Sequence, residues 1–338
     1  MKRFESLAIE GWSPEYGSPV EREREEIPAE QVDPGVELPA GEWRPLPSEE
    51  VSVVPRRIYF IDGVRRIEAR VWMSAEGEPS LGICASYAAG MVRCGRRAEI
   101  VAAEVRRGFF GRAGVPDLVT RVGTFGASPV AEDDIQQLIN GLQERMGQLE
   151  VKVAGGWGAT RSRGRSARVG LGSDSNGANP PLHPGALMLM DGPLRGGQRI
   201  PGAIGYVKTH RVQYLTGAAR AVVARLAARE RTPLFLIQTK WTRYSWYLRL
   251  TEAPGHPWAG IVRCEAWPET ELEQVQKIAD ATAAVLPRFA SEPHKDDRAP
   301  QNLYPIAGLE RELHHRLGDR GVVFRALHQA ARAYRPTD

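Results

Sequence analysis

The sequence predicts an α/β or α+β protein organised around a mixed sheet, and three observations carry that reading. Strand-like runs rich in branched and aromatic residues open the body of the chain. Two long stretches carry apolar residues at steps of three and four, as helices buried along one side do. Two apolar strands, far apart in sequence, each close on Asp-Gly, at Asp62-Gly63 and Asp191-Gly192. Strands interleaved with helices argue for one layered sheet with helices packed over it.

Residues 1–50 are rich in Pro, Glu and Gly and show no sustained period. They are expected to form an irregular arm laid over the body, with Trp12 and Trp43 as anchors. Residues 51–338 then read as a single domain. Its first strand, 57–63, ends in Asp-Gly, and 64–73 alternates as the returning strand of a hairpin. Further strands are expected at 81–94, 98–105 and 118–122. The clearest early helix covers 131–154, with Ile135, Leu138, Ile139, Leu142, Met146, Leu149 and Val153 on one stripe. Residues 155–184 are Gly-rich and hold Arg161, Arg163, Arg165 and Arg168, so they read as an inserted loop. Strands follow at 186–191 and 202–208, a helix at 216–229, and strands at 234–238, 245–250 and 261–267. A strongly amphipathic helix spans 269–289, and two helical stretches parted near Gly318 complete the chain.

Composition narrows the function classes. The 338 residues are 42% hydrophobic and 25% charged, ordinary for a globular protein. No run approaches the ~20 apolar residues that a membrane helix needs. The amino terminus has no apolar signal region, so a cytoplasmic location is expected. Cys84, Cys94 and Cys264 cannot all pair and lack C-x-x-C spacing, which weighs against a disulfide scaffold or a structural zinc. A net charge of +4 is only a weak pointer to a polyanionic partner. The histidines His183, His210, His256 and His294 are scattered without ligand spacing. Neither a Walker-type phosphate loop nor a dinucleotide fingerprint is present.

The chemistry rests on carboxylates. If the strands ending at Asp62 and Asp191 are neighbours, both acids meet at one place on the sheet. Paired carboxylates near a core need a neutralising cation, most simply Mg²⁺ or Mn²⁺. The competing reading is that each Asp-Gly merely starts a turn. On the 131–154 helix, Glu144 falls opposite the apolar stripe, whereas Glu150 falls on its flank and can look toward the sheet. Glu150 is equally readable as a boundary residue paired with a Lys or Arg. Arg263 and Glu265 share one strand face, consistent with an internal salt bridge or with substrate contact. The arginines of the 155–184 loop suit a strand-tracking basic segment or a solvated insertion. Trp241, Tyr244, Trp246 and Tyr247 form the densest aromatic patch, suited to base stacking or to the core.

Several of these pieces occur in a recognisable order. Tyr59-Phe-Ile-Asp62-Gly63, Leu187-Met-Leu-Met-Asp191-Gly-Pro-Leu194, Gly205-Tyr-Val-Lys208, Trp246-Tyr-Leu-Arg-Leu250, Ile261-Val-Arg-Cys-Glu265 and the 298–310 stretch together resemble the NurA nucleases. The resemblance covers roughly residues 55–320. It implies an RNase H-like core, a homodimer and a Mn²⁺-dependent nuclease; carboxylate chemistry equally admits Mg²⁺, and phosphodiester hydrolysis is served by two ions. It also implies work on DNA ends, in double-strand-break resection, beside a hexameric HerA-type ATPase. The implied metal ligands are Asp62, Glu150, Asp191 and Glu310, the last where relatives carry a histidine. Lys208 is implied to neutralise the scissile phosphate; Arg161, Arg163, Arg165, Arg168 and Arg263 are candidate DNA contacts on the residue reading alone. The implied output is 5′-to-3′ exonuclease and single-strand endonuclease activity. Two other classes stay open: a catalytically silent DNA-binding adaptor of the translocase, and a phosphatase using the same acids.

Overall fold

A computed structural model describes residues 6–9, 31–47, 55, 57–75, 78–160, 186–196, 199–200, 202–210, 212–252, 257–296 and 298–334. The strands are β1 (Ser6–Ile9), β2 (Val32–Asp33), β3 (Leu46–Pro47), β4 (Arg57–Ala75), β5 (Glu78–Cys94), β6 (Ala98–Gly111), β7 (Leu118–Thr120) and β8 (Gly123–Pro129). They continue with β9 (Ala186–Asp191), β10 (Ala203–Val207), β11 (Glu230–Arg231), β12 (Phe235–Gln238), β13 (Thr242–Arg249) and β14 (Ile261–Ala266). The helices are α1 (Ile135–Thr160), α2 (Gly217–Arg225), α3 (Leu272–Val285), α4 (Tyr304–Arg316) and α5 (Arg320–Ala333).

Among the described residues the strands form one mixed sheet, in the order β2-β12-β13-β14-β10-β9-β4-β5-β6-β8-β7. β4, β5 and β6 are successive antiparallel neighbours. α1 then carries the chain across, so that β9 joins β4 in parallel and β10 joins β9 in parallel. The mixed α/β class is therefore observed, with helices on both faces.

Alternation along the strands sorts side chains to those faces. Tyr59, Ile61, Met188 and Met190 pack against Leu142, Met146, Leu149 and Val153 of α1. The alternate residues Phe60, Leu189, Ile204 and Tyr206 belong to the opposite core with Val275 of α3 and Ile306 and Leu309 of α4. α5 closes the distal half of that second face over Val71, Met73 and Phe109.

Three sequence expectations are corrected. The Asp62-Gly63 pair does not end a strand: β4 runs unbroken through it, and its hairpin with β5 reverses only beyond Ala75. An Asp-Gly pair turns the chain when its flanks pair with each other, and here both flanks pair with β5 instead. The arm is less irregular than its composition suggests, because β1 pairs with β4, β2 with β12 and β3 with β11. Trp43 is indeed buried, donating its indole N–H to the Pro34 carbonyl; Trp12 lies outside the described residues. Finally, the 131–154 helix begins at Ile135 and continues to Thr160, into the segment expected to be a loop.

Candidate functional site

Parallel pairing of β4 with β9 brings Ile61 level with Met190. One step further along each strand stand Asp62 and Asp191, on the face that carries Phe60 and Leu189. Neighbouring strands lie about 4.8 Å apart, so the two acids are adjacent across the sheet. β9 ends at Asp191 while β4 runs on, and this loss of a neighbour opens a cleft of about 230 Å³ beside the two carboxylates. Gly63, Glu150, Arg195 and Lys208 also line it.

The close approach of α1 explains why Asp62 is followed by glycine. A Cβ on residue 63 would stand 2.5 Å from Glu150 Oε1 and 3.0 Å from Met146 Cγ. Gly63 therefore admits Glu150 from the α1 face to the end of the cleft, next to acids that belong to the other face. Glu150 is 9% exposed, whereas Glu144 is exposed and accepts a hydrogen bond from Gln148.

Each acid is held differently. Asp62 Oδ1 accepts the Gly63 N–H at 2.7 Å, while its Oδ2 is buried without a partner among the described residues. Asp191 Oδ2 accepts from Lys208 Nζ at 2.7 Å, and its Oδ1 is likewise buried and, among the described residues, unpartnered. Lys208 Nζ donates a second bond, at 3.1 Å, to Asn302 Oδ1. Glu310 lies over the same face on α4 but receives Arg298 Nη2 at 2.6 Å and Nη1 at 3.2 Å.

Electrostatics follow from this placement. Burial pushes the Asp62 carboxyl well above its ordinary range, and the charges of Asp191 and Glu310 add to the rise; Lys208 partly offsets it. Burial also raises Asp191, with Lys208 opposing. Glu150 is pushed up to about 7 by burial, with Arg195 opposing and Asp191 reinforcing. For Glu310 burial also acts upward, but the Arg298 hydrogen bonds prevail and hold it low.

Oxygen-only donors, two of them buried and unpartnered, suit a hard divalent cation. The shell is not fully assembled, however. Among the described residues no three His, Cys, Asp or Glu side chains are spaced as a finished cage. Two cationic side chains explain why: Lys208 lies on Asp191 and Arg298 on Glu310. Glu310, the fourth expected ligand, has both carboxylate oxygens on Arg298 while its charge is still felt at Asp62 and Asp191.

The structure thus brings Asp62, Asp191, Glu150 and Lys208 together, with Glu310 at the margin. It does not bring Arg263 to the cleft. That guanidinium is buried, ion-paired with Glu265 at 2.7 Å and stacked on the Tyr214 ring at 4.3 Å, so the internal salt bridge is realised. Trp246 and Tyr247 are core residues, not stacking platforms. Arg161, Arg163, Arg165 and Arg168 lie outside the described residues. Sequence reasoning overlooked Arg195, Arg298 and Asn302. Arg298 and Asn302 sat within the 298–310 stretch already singled out, but nothing in a sequence says that a loop residue 94 positions away bonds Lys208.

None of the curated proteins compared with the chain matches it. No helix among the described residues is long and apolar enough to cross a membrane. The family model described as the NurA domain matches residues 56–310, a span that begins one residue before β4 and ends at Glu310 on α4. The chain belongs to the NurA family, a family associated with nucleases.

Proposed function

We propose that this protein is a metal-dependent DNA nuclease with an RNase H-like core, active at the cleft beside Asp62. The observation that carries the reading is the pair of buried, unpartnered oxygens, Asp62 Oδ2 and Asp191 Oδ1, on adjacent parallel strands. Strand order supports the fold assignment: β4, β5 and β6 pair antiparallel, α1 crosses over, and β9 and β10 extend the sheet in parallel on the other side of β4.

Asp62 and Asp191 would hold Mn²⁺ or Mg²⁺, with Glu150 closing the shell from α1. Asp62 feels the charges of Asp191, then Glu310 and, more weakly, Glu150, and would be the central ligand of the shell. Bound there, divalent cations supply an acidified water and counter-charge for a leaving oxygen. Lys208 stands beside Asp191 with its ammonium fixed by Asn302, placed to neutralise a scissile phosphate where charge develops. Asn302 is fully buried and also donates to Asp296 at 2.6 Å, which fixes its carbonyl toward the lysine.

The wider reading is 5′-to-3′ exonuclease and single-strand endonuclease activity in double-strand-break resection. The chain would work as a homodimer, partnered with a HerA-type ATPase. It rests on family membership. Linear duplex and single-stranded DNA are incubated with Mn²⁺ and wild type, Asp62→Ala or Asp191→Ala. Cleavage by wild type and background levels in both variants are expected. Equal cleavage by all three would remove the site, and hydrolysis of phosphomonoesters but not DNA would replace the nuclease by a phosphatase.

A further inference from the structure

Three carboxylates in one cleft repel a polyanion, so a nucleic-acid strand needs cations there with donors to spare. Most of the nearby cations are committed. Lys208 is shared between Asp191 and Asn302. Arg298 is spent on Glu310. Arg243 and Arg263 are buried on Glu265. Arg195 differs: it lines the cleft, is half-buried, and among the described residues takes part in no hydrogen bond or ion pair. Its charge is nevertheless felt at Glu150, which lines the same cleft.

The backbone that delivers Arg195 is rigid. Gly192 N–H donates to the Tyr206 carbonyl at 2.8 Å. Leu194 N–H donates to the buried Glu265 Oε2 at 2.8 Å, and Leu194 O accepts from Trp241 Nε1 at 3.0 Å. Gly205 faces this segment so closely that a Cβ would stand 3.0 Å from Leu194 N and 3.1 Å from Gly192 O. One short bracket thus fixes Asp191 at its start and Arg195 at its end.

We propose that Arg195 is a phosphate-binding residue of the cleft, gripping the backbone of the nucleic-acid strand while Asp191, four residues earlier on the same bracket, faces the reacting phosphate. A guanidinium presents five N–H donors in a planar fork that matches two phosphate oxygens. The inference rests on the nuclease reading of the cleft, but its test does not need cleavage.

Binding of a fluorescein-labelled oligothymidylate in EDTA is followed by anisotropy across a salt series, for wild type, Arg195→Gln, Arg195→Lys and the exposed-surface control Arg145→Gln. Losing one phosphate contact should make the log K against log salt slope shallower by about 0.7 for a single strand. Arg195→Gln is expected to show this, Arg195→Lys to recover the slope, and Arg145→Gln to match wild type. With Mn²⁺, Arg195→Gln should raise KM more than it lowers kcat. An unchanged slope in Arg195→Gln overturns the inference, and with cleavage intact it overturns that inference alone. The same holds if only the pH dependence of folding moves, since Arg195 would then serve Glu150 and not DNA. A shallower slope in a protein that never cleaves DNA would keep Arg195 as a phosphate ligand and discard the nuclease. A wild type that does not bind the oligonucleotide overturns both.

Discussion

Glu265 and Asp62 are both buried carboxylates in the middle of the same sheet, yet they are treated in opposite ways. Glu265, fully buried on β14, receives Arg243 at 2.9 Å, Arg263 at 2.7 Å and the Leu194 N–H at 2.8 Å. Asp62, one of three acids at the end of β9, keeps an oxygen with no partner among the described residues. Saturated burial of charge gives a rigid support; unsaturated burial stores a demand for positive charge. The first cluster holds the bracket that leads away from Asp191, and the second is where chemistry would take place.

The sharpest way to break this contrast is to remove the saturated acid. Glu265→Ala leaves two buried guanidiniums and a backbone N–H without their acceptor. Removing one partner of a buried ion pair costs about 3–5 kcal/mol, and the denaturation midpoint should fall accordingly. Glu265→Gln, which keeps an acceptor for Leu194 N–H, should recover part of it. A midpoint unmoved by Glu265→Ala would mean that the cluster supports nothing.

The next effect is a pH dependence at the unsaturated cluster. Glu150 binds its proton up to about pH 7 in the folded chain, against an ordinary value of 4.5. Between those values the folded state holds a proton that the unfolded state has released, so stability falls as pH rises from 4.5 to about 7 and then levels. The shift corresponds to a loss on the order of 3 kcal/mol. Asp62 and Asp191 are raised as well and slope the same way. Comparing wild type with Glu150→Gln in EDTA isolates the glutamate: the variant should lose part of the slope. Identical curves would place Glu150 in contact with solvent.

How much of this was legible beforehand differs between the clusters for a physical reason. The positions of Asp62, Asp191 and Glu150 follow from local pattern: apolar strands set two of them and a helical stripe the third. The meaning of Gly63 was not legible, because a turn glycine and a glycine cleared for a helix look alike in one dimension. Glu265 and Arg263 were readable as a same-face pair, but Arg243 joins them through the β13–β14 register and Leu194 through a loop. Such contacts depend on which strands become neighbours. The same limit hid Arg195 and Asn302, whose partners lie on other elements. The arm's strands were missed because pairings of two to four residues carry no sustained period.

The smallest effect is also the most specific, because it should change sign with metal. Asp62→Asn replaces a carboxyl whose ionised form burial disfavours, and whose second oxygen has no partner among the described residues, by a neutral amide of the same shape. In EDTA at neutral pH the variant should therefore be more stable than wild type, by roughly 1–2 kcal/mol, as is common when a functional residue is relieved of an unfavourable environment. Adding Mn²⁺ should reverse the order. A cation that binds only the folded state stabilises it by about 2.7 kcal/mol at a hundredfold excess over Kd, and wild type alone retains the oxygen that receives it. The two melting curves should thus cross as Mn²⁺ is raised, with Asp191→Asn behaving likewise. A variant less stable than wild type in EDTA would show that Asp62 is satisfied like Glu265. Parallel curves under Mn²⁺ would show that its open oxygen is not waiting for a cation.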